Sequence, residues 1–313
     1  MTTLPVPTLL LTDPDCAEYQ ALLTESRGDL VIRTPNDPLA RKAECEVWLG
    51  SPDSVIPLIK EGLQPRWIQL TWAGVTPLVG VSVPEGCQIT RALGVFGAPM
   101  LEYVLHHMLT HAWSPAGYPQ AQNRFNWRPS TSDRLSGKRV LIVGMGSIGT
   151  HIGAGLSALG MRIFGIQRTP SATAGVEQVG SMEELLDYAA SADVVVNVLP
   201  DTPDTHDLYD ANFFSTLPGN ALFINIGRGS AVVDHALIEA LNSNQLAGAV
   251  LDVFRKEPLP PSHQFWVTPH LTLTPHIAGP TDGAAMIEFF LSNLNKFQAG
   301  QGLDGLVDLE RGY

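Results

Sequence analysis

A glycine-rich turn between a strand and a helix is the feature that most constrains this fold. Four apolar residues, Val140 to Val143, lead directly into Gly144-Met145-Gly146-Ser147-Ile148-Gly149, and a helical run follows from Thr150 to Leu159. In such a motif the first glycine permits the tight turn, the second lets the backbone approach a pyrophosphate, and the third lets the helix pack closely on the strand. Because the free N–H groups and the positive end of the helix then face the phosphates, these residues predict a nicotinamide or flavin dinucleotide site.

The end of the next strand indicates which dinucleotide this site binds. An NAD site carries an Asp or Glu about 20 residues beyond the glycines, where it hydrogen-bonds the ribose 2′-hydroxyl. Here the strand from Met161 to Ile166 is followed by Gln167 and Arg168, without a carboxylate. Because Arg168 can pair with a 2′-phosphate while Thr169 and Ser171 donate hydrogen bonds, we expect NADP as the preferred cofactor, with NAD as the second choice. The alternative is that Arg168 points to solvent and the adenosine end is loosely held.

Short apolar runs alternate with helical stretches over much of the remaining chain. This alternation is typical of parallel α/β layers and not of a sandwich or a helix bundle. The predicted strands are Thr8 to Leu11, Val47 to Leu49 and Trp67 to Leu70, and the predicted helices are Val55 to Glu61, with Pro57 in its first turn, and Pro99 to His111. The stretch from Trp113 to Lys138 is rich in Pro, Ser, Asn and Gln, which predicts either a linker between two domains or a long surface connection within one.

The charge balance and the cysteines exclude several functional classes. Lys and Arg total 19 against 31 Asp and Glu, a formal net charge of −12, and no basic run offers the clustered cations that nucleic acid or an anionic membrane needs. Three cysteines, Cys16, Cys45 and Cys87, favour reduced thiols in the cytoplasm, and no run reaches the roughly 18 apolar residues of a membrane span. No paired CxxC motif is present, and His107 and His111 lack a metalloprotease Glu between them, so we expect no metal.

Three later segments each end an apolar run with a polar residue. Arg228, Glu257 and His276 would thus lie at the carboxyl ends of parallel strands, where open α/β sheets bind ligands. Arg228 offers a two-pronged donor for a carboxylate and its adjacent carbonyl, and His276 can supply the proton that a carbonyl oxygen takes up as hydride arrives at carbon. A carboxylate beside the histidine favours the imidazolium and orients the ring. These residues predict hydride transfer to a small oxo-acid. His270 also follows Thr-Pro, but it falls six residues early and is interpreted as a loop histidine.

The same residues carry a resemblance to a known family. From about Gln64 onward the chain resembles the D-isomer-specific 2-hydroxyacid dehydrogenases, and most closely their glyoxylate/hydroxypyruvate reductase branch. The motifs concerned are Leu135-Ser-Gly-Lys-Arg-Val-Leu-Ile-Val-Gly-Met-Gly-Ser-Ile-Gly149, Val196-Asn-Val-Leu-Pro200 with Thr205, Ile224-Asn-Ile-Gly-Arg-Gly229, Leu251-Asp-Val-Phe254 with Glu257-Pro258, and Thr274-Pro-His276. The resemblance implies an oxidoreductase that reduces a small 2-oxo acid to the D-2-hydroxy acid.

The resemblance also implies a role for each matched residue. Arg228 would bind the substrate, His276 would be the acid/base, and Glu257 would be its partner. The expected cofactor residues, besides the glycine-rich loop, Gln167 and Arg168, are Leu199, Pro200, Thr205, Ile226, Gly227 and Gly279, with Asp252 by the nicotinamide end. In this family a glycine-containing segment offers backbone N–H groups to the substrate carboxylate. Here that segment contains Trp72, Ala73 and Gly74, and Trp72 replaces a more usual small residue, which leaves the size of the substrate open.

The architecture implied by the resemblance has two domains. A flavodoxin-like substrate domain would comprise residues 1–98 and 281–313, and a Rossmann dinucleotide-binding domain, residues 99–280, would be inserted into it. The 113–138 stretch would then belong to an arm that commonly packs against a second subunit, so a homodimer is expected, and closure between the domains would expel water. One alternative is a dinucleotide-sensing binding protein of the corepressor type, which can retain the same residues. An S-adenosylmethionine methyltransferase is disfavoured by the Arg, Glu and His motifs.

Overall fold

The chain folds into two compact units. The computed structural model describes residues 7–38, 42–113, 118–127, 129 and 133–309. The first unit combines residues up to Phe96 with those from Thr281 onward, and the second is Gly97–Pro280. The first unit is therefore built from both ends of the sequence, with the second unit inserted between them.

A parallel five-stranded sheet forms the centre of the first unit. Its strand order, β2-β1-β3-β4-β5, is that of flavodoxin-like folds. Three of the strands are buried along their whole length, as expected where both faces of a parallel sheet are covered. The elements are β1 Leu9–Leu11, α1 Cys16–Ser26, β2 Ile32–Arg33, β3 Val47–Gly50, α2 Pro52–Lys60, β4 Trp67–Leu70 and β5 Gln88–Thr90.

Helix α2 begins three residues earlier than the sequence predicted. Pro52 occupies its first turn, where the missing N–H removes no hydrogen bond because the first N–H groups of a helix have no partner within it. Pro57 therefore lies inside the helix, and its predicted place in the first turn was wrong.

The second unit is built on a seven-stranded parallel sheet of order β12-β11-β10-β9-β6-β7-β8. This is a Rossmann order, in which the direction of strand addition reverses between β6 and β9. The elements are α3 Gly97–Trp113, α4 Tyr118–Asn123, β6 Arg139–Val143, α5 Ser147–Ala158, β7 Arg162–Ile166, β8 Gln178–Gly180, α6 Leu185–Ala189, β9 Val194–Asn197, α7 Ala211–Thr216, β10 Leu222–Asn225, α8 Asp234–Asn242, β11 Gly248–Leu251 and β12 Leu271–Leu273. The last helix, α9 Gly283–Gln298, returns to the first unit.

The two strand orders confirm the predicted α/β class, with one flavodoxin-like and one Rossmann sheet. Open sheets of this kind bind ligands at the carboxyl ends of their strands, in the crevice where the strand order reverses. In the second unit that crevice lies between the ends of β6 and β9. The described helices include none long and apolar enough to cross a membrane.

The connection between α3 and β6 is only partly described. Helix α4 interrupts it, and the backbone N–H of Asp133 donates to the carbonyl oxygen of Ala112. Residues 114–117, 128 and 130–132 of the predicted linker or arm lie outside the described residues. Whether the 113–138 stretch is a linker or an arm that packs against a second subunit is therefore not tested, and both remain predictions.

Candidate active site

Two glycines of the turn after β6 are required by the fold itself. Gly144 has φ of +109°, and a Cβ there would lie 3.0 Å from the carbonyl carbon of Val198, so the position excludes a side chain. A Cβ on Gly149 would lie 2.2 Å from the carbonyl oxygen of Gly144. Only glycine therefore lets α5 pack this closely against the turn.

Gly146 has no such packing requirement. Its backbone is extended, with φ of −79°, and a Cβ there would meet no atom within 4 Å. Gly146 is the N-cap of α5 and no side chain caps this end, so the N–H groups of the first turn are available to an anion. Among the other residues of the motif, Met145 is buried, Ser147 is exposed and Ile148 is half-buried. The open space beside Gly146 and the uncapped helix end together fit the pyrophosphate of a dinucleotide.

The residues after β7 suit an adenosine that carries a 2′-phosphate. Gln167 is half-buried, and its side-chain oxygen accepts a hydrogen bond from the Ser171 hydroxyl at 3.3 Å. Arg168 and Thr169 are exposed, and residues 167–171 contain no carboxylate. A guanidinium and hydroxyl groups at this position can bind a phosphate, whereas the Asp or Glu of an NAD site would repel it.

The segment after β9 borders the same crevice. The carbonyl of Val198 approaches Gly144, and Leu199 and Pro200 follow it as half-buried residues. Thr205 is buried, and its hydroxyl donates to the carbonyl oxygen of Pro200 at 2.8 Å. This hydroxyl is engaged within the loop, where it shapes the backbone of the expected cofactor residues.

Two buried asparagines connect the ends of β9 and β10. The side-chain amide of Asn197 donates to Asn225 Oδ1 at 2.8 Å, and the amide of Asn225 donates to the carbonyl oxygen of Arg228 at 3.0 Å. Asn197 Oδ1 accepts hydrogen bonds from the Tyr209 hydroxyl at 2.9 Å and from the backbone N–H of Leu199 at 3.2 Å. Buried amides with all these partners are rigid, so the pair fixes the backbone at Leu199 and Arg228 together.

The backbone before Arg228 also lies close to the β9 loop. Ile226 is buried, and the N–H of Gly227 donates to Asn225 Oδ1 at 3.1 Å. A Cβ on Gly227 would lie 2.7 Å from the carbonyl oxygen of Leu199, so this approach requires glycine. Gly279, the last expected cofactor residue, is half-buried within the loop that follows β12.

Arg228 provides a cation in a largely desolvated position. One of its terminal nitrogens donates to the carbonyl oxygen of Gly227 at 2.7 Å. Burial lowers the pKa of Arg228, and the negative charges of Asp201 and Glu257 oppose that shift. The planar guanidinium keeps further N–H donors, which suits two-pronged binding of a carboxylate.

His276 and Glu257 lie within hydrogen-bonding distance of each other. His276 Nδ1 lies 2.8 Å from Glu257 Oε2, and the other carboxylate oxygen accepts from the backbone N–H of Phe254 at 2.8 Å. The imidazole is about half exposed, with 51% of its side chain accessible. Glu257 thus holds one ring nitrogen and leaves Nε2 for a reacting group.

Asp252 clamps the loop that carries His276. Its carboxylate, which is 1% exposed, accepts hydrogen bonds from the Thr274 hydroxyl at 2.6 Å and from the backbone N–H groups of Ile277 at 2.9 Å and Ala278 at 2.8 Å. Its backbone carbonyl accepts from the N–H of His276 at 2.8 Å. His276 itself has φ of +57°, an uncommon conformation for a side-chain-bearing residue, which these four bonds hold in place.

A further contact from α3 reaches this loop and was missed by the sequence analysis. The Tyr103 hydroxyl lies 2.5 Å from Thr274 Oγ1, and burial raises the pKa of Tyr103 to about 12. Its ring packs against His107, which is buried. The sequence offered only a polar tyrosine within an apolar helix as a signal, and nothing in its spacing pointed to Thr274.

The expected substrate segment lies in the first unit, after β4. Trp72 is 39% exposed and its carbonyl oxygen accepts from the N–H of Ala92, while Ala73 and Gly74 are half-buried. The preceding residue, Thr71, is buried and donates its hydroxyl to Asp13 Oδ2 at 2.5 Å. Arg228, Glu257 and His276 all belong to the second unit, with the dinucleotide turn.

The histidines set aside in the sequence analysis are His107 and His111 of α3 and His270. His270 directly precedes β12, as expected for a loop residue. Within the described residues, no group of three His, Cys, Asp or Glu side chains is arranged to hold a metal ion.

A Rossmann unit that contains a glycine-rich dinucleotide turn, a largely buried guanidinium and an imidazole held by a carboxylate is typical of one class of protein, the dehydrogenases that use nicotinamide dinucleotides. Residues 105–278 match the family model of the D-isomer-specific 2-hydroxyacid dehydrogenase NAD-binding domain. The chain therefore belongs to the D-isomer-specific 2-hydroxyacid dehydrogenase family, and it is an NAD(P)-dependent enzyme of that family. The predicted family is confirmed.

Individual relatives agree with this assignment. The chain is 34% identical over 233 residues to glyoxylate/hydroxypyruvate reductase A of Yersinia enterocolitica, which covers 74% of each chain. A D-isomer-specific 2-hydroxyacid dehydrogenase family protein from Aeromonas salmonicida superposes with a TM-score of 0.89 at 34% identity, covering 97% of this chain and all of that one. An NADPH-dependent glyoxylate/hydroxypyruvate reductase from Sinorhizobium meliloti, solved with NADP and sulfate, has a TM-score of 0.86 at 26% identity and covers 99% of this chain and all of that one.

Proposed function

We propose that this enzyme reduces a small 2-oxo acid of the glyoxylate/hydroxypyruvate type to the D-2-hydroxy acid, with NADPH as its preferred cofactor. The contact between His276 and Glu257 carries the proposal most directly, because it leaves the second ring nitrogen of a half-exposed imidazole for a reacting group, within the unit that contains the dinucleotide turn. The names of the relatives from Yersinia enterocolitica and Sinorhizobium meliloti supply the substrate class.

Arg228 has the substrate-binding role in this proposal. Its guanidinium is largely withdrawn from water, where a charge interacts more strongly with an anion than it does at an exposed site. It binds the substrate carboxylate and polarises the adjacent carbonyl, so it stabilises the negative charge that develops on the carbonyl oxygen. On a protein of net charge −12 this local positive charge also attracts an anionic substrate.

His276 acts as the acid in reduction. Bound NADPH supplies the hydride that becomes the new C–H bond. His276 donates a proton from Nε2 to the carbonyl oxygen, because Nδ1 is held by Glu257, and the product is the hydroxyl group. Glu257 orients the ring through its contact with Nδ1. The imidazole regains a proton from solvent, to which it is exposed.

The cofactor preference rests on the segment after β7. Gly144, Gly146 and Gly149 would hold the pyrophosphate, and Arg168 with Thr169 would bind the 2′-phosphate. The Sinorhizobium meliloti relative, which is 26% identical to this chain, was solved with NADP, and this agrees with the proposed preference. NAD is the second cofactor that the same fold accommodates. The homodimer that the resemblance implies stays a prediction.

The test is a steady-state assay that follows the absorbance of the reduced nicotinamide with NADPH or NADH against glyoxylate, hydroxypyruvate, pyruvate and phenylpyruvate. We expect turnover with the first two acids and a higher kcat/KM for NADPH. Arg168→Ser should erase most of the difference between NADPH and NADH, and Arg168→Lys should preserve part of it.

Arg228→Met provides the second part of the test. Removal of one preorganised donor costs on the order of 3 kcal/mol of transition-state stabilisation, or about 150-fold in kcat/KM. An unchanged kcat/KM would contradict the role of Arg228. Tight binding of NADPH without turnover of any of the four acids would contradict the proposed reaction and favour a dinucleotide-sensing binding protein of the same fold.

A further inference from the structure

The loop after β11 contains an arginine that reaches across to the loop after β10. Arg255 lies between Phe254 and Glu257 in sequence. Its Nε donates to the carbonyl oxygen of Val232 at 2.8 Å, and its Nη2 donates to the carbonyl oxygen of Ser230 at 3.2 Å. Both acceptors belong to the turn that begins immediately after Arg228.

Two carboxylates complete the surroundings of this guanidinium. Arg255 forms an ion pair with Asp207 and a longer one with Asp234, at 3.4 Å. The two carboxylates contact Nη2 and Nε, the same nitrogens that donate to the carbonyl oxygens, and these donors form a rigid planar fork. Arg255 is thereby held in the orientation that reaches Ser230 and Val232.

The two loops also touch through their backbones. A Cβ on Gly229 would lie 2.0 Å from the carbonyl carbon of Phe254 and 2.4 Å from the N atom of Arg255. Gly229 directly follows Arg228, so the loop that contains the proposed substrate-binding cation packs against the loop that contains Glu257. A shift of one loop would therefore displace the other.

A continuous set of short contacts runs from this junction to the proposed acid. The N–H of Phe254 donates to one oxygen of Glu257, and the other oxygen of Glu257 lies 2.8 Å from His276 Nδ1. Arg255 is the neighbour of Phe254 in the chain. The guanidinium thus connects the turn after Arg228 to the segment that orients the Glu257–His276 pair.

We propose that Arg255 is a positioning residue, which sets the separation between Arg228 and the Glu257–His276 pair. Arg228 binds the carboxylate and His276 protonates the carbonyl oxygen of one small substrate, so the two groups must be placed correctly at the same moment. Misplacement of a reacting group by about 1 Å can lower a rate by about 100-fold. The proposal rests on the reaction proposed above, because it requires that both groups act on one oxo-acid.

Other hydrogen bonds still hold the turn after Arg228 when the Arg255 guanidinium is removed. The N–H of Asp207 donates to the carbonyl oxygen of Ser230, and the N–H of Tyr209 donates to that of Ala231. The Ser230 hydroxyl donates to Asp201 at 2.5 Å. We therefore expect the turn to stay folded without Arg255 and to lose only its registration with the Phe254–Glu257 segment.

The test compares Arg255→Met with Lys256→Met and Arg255→Lys. Lys256 is the adjacent exposed cation and makes no hydrogen bond or ion pair with the described residues, so its replacement controls for the loss of one charge from this loop. We expect Arg255→Met to lower kcat/KM for glyoxylate or hydroxypyruvate by about 10- to 100-fold while KM for NADPH stays within about twofold. Lys256→Met should stay within about twofold of the wild type in both constants. Arg255→Lys should recover part of the loss, because an ammonium can reach one carbonyl but not both.

A second measurement separates positioning from general damage. The dissociation constant of oxalate, a planar analogue of the oxo-acid, is measured in the presence of saturating NADP, together with the urea midpoint of each variant. We expect Arg255→Met to bind oxalate more weakly than the wild type does, under conditions in which the urea midpoint shows that the variant is fully folded. An equal loss of affinity for NADPH and for oxalate would assign Arg255 a general structural role and overturn the proposal, as would wild-type values of kcat/KM in Arg255→Met. If the wild-type enzyme turned over none of the oxo-acids, the proposed function would fail, and this inference would fail with it.

Discussion

Replacing Gly146 by Ala adds one methyl group at the N-cap of α5. No atom of the described protein lies within 4 Å of the added Cβ, so the methyl group clashes with nothing. The backbone there is already extended, with φ of −79°, so alanine can adopt it without strain. The methyl group would occupy the space beside the uncapped helix end, which is where we place the pyrophosphate. The substitution therefore separates the requirement for binding from the requirement for folding.

The expected magnitudes follow from these two environments. Alanine is a poorer N-cap than glycine, but it also restricts the unfolded chain, and the two effects oppose each other within about 1 kcal/mol. Displacing the pyrophosphate far enough to lose one charge-assisted hydrogen bond costs about 1.5–3 kcal/mol, which raises the dissociation constant of NADPH about 10- to 150-fold. Binding should thus suffer while the free energy of unfolding hardly changes.

Gly149→Ala is the matched comparison, because it adds the same methyl group one helical turn away in the opposite environment. Its Cβ would lie 2.2 Å from the carbonyl oxygen of Gly144, and a backbone atom cannot move aside as a flexible side chain can. We expect a loss of stability of about 1–3 kcal/mol or more from overpacking.

Both variants are assayed by urea unfolding and by titration of NADPH against intrinsic fluorescence. We expect Gly146→Ala to keep the wild-type urea midpoint and to bind NADPH more weakly. We expect Gly149→Ala to have a lower urea midpoint than the wild type. Wild-type NADPH affinity in Gly146→Ala would refute the assignment of this space to the pyrophosphate. A large drop in its urea midpoint would refute the conclusion that the fold does not require glycine there.

Three further predictions concern the supporting structure. Gly229→Ala places a Cβ 2.0 Å from the backbone of Phe254, so we expect loss of both activity and urea stability, and a stable, active variant would contradict the close approach of the two loops. Asp252→Asn replaces two acceptor oxygens by one, so the loop carrying His276 should loosen, with a fall in kcat and a loss of about 1–3 kcal/mol in the free energy of unfolding; unchanged values of both would show that the clamp has no such role. Burial lowers the pKa of His107, so its contribution to stability is present above the ordinary histidine value of about 6.5 and is lost as the pH falls through the lower value of the folded state. Urea unfolding between pH 7 and pH 5 should therefore show a decline that is smaller in His107→Gln, and an equal decline in both proteins would exclude this residue as a source.

The fold class was readable from the sequence because its signals are local. Strand β9 is fully buried and β6 is buried from Val140 onward, so both appear as continuous apolar runs, and the close approach of Gly149 to Gly144 lies within a single turn. The strand orders confirmed the resulting prediction. The start of α2 was misplaced because Pro57 was taken to mark the first turn of the helix. The proline of the first turn is Pro52, and Pro57 lies inside the helix.

The residues that support the site were much harder to predict. Asn197 and Asn225 end their strands as isolated polar residues, which is a signal, but their mutual hydrogen bond joins positions 28 residues apart. The contact between Tyr103 and Thr274 spans 171 residues. No periodicity records such a pairing, because it depends on which strands become neighbours in the sheet.

By itself, the sequence determined the α/β class and the dinucleotide turn, and it predicted Arg228, Glu257 and His276 as site residues, since each signal is expressed through neighbouring residues or through motifs in a fixed order. Tertiary structure alone decided how these groups are oriented. It placed Glu257 on one nitrogen of His276, made Asp252 a clamp for the loop, and laid Arg255 across two loops. Such contacts arise because parallel strands bring distant segments to one sheet edge, where packing and hydrogen bonding select among arrangements that the same residues could otherwise adopt.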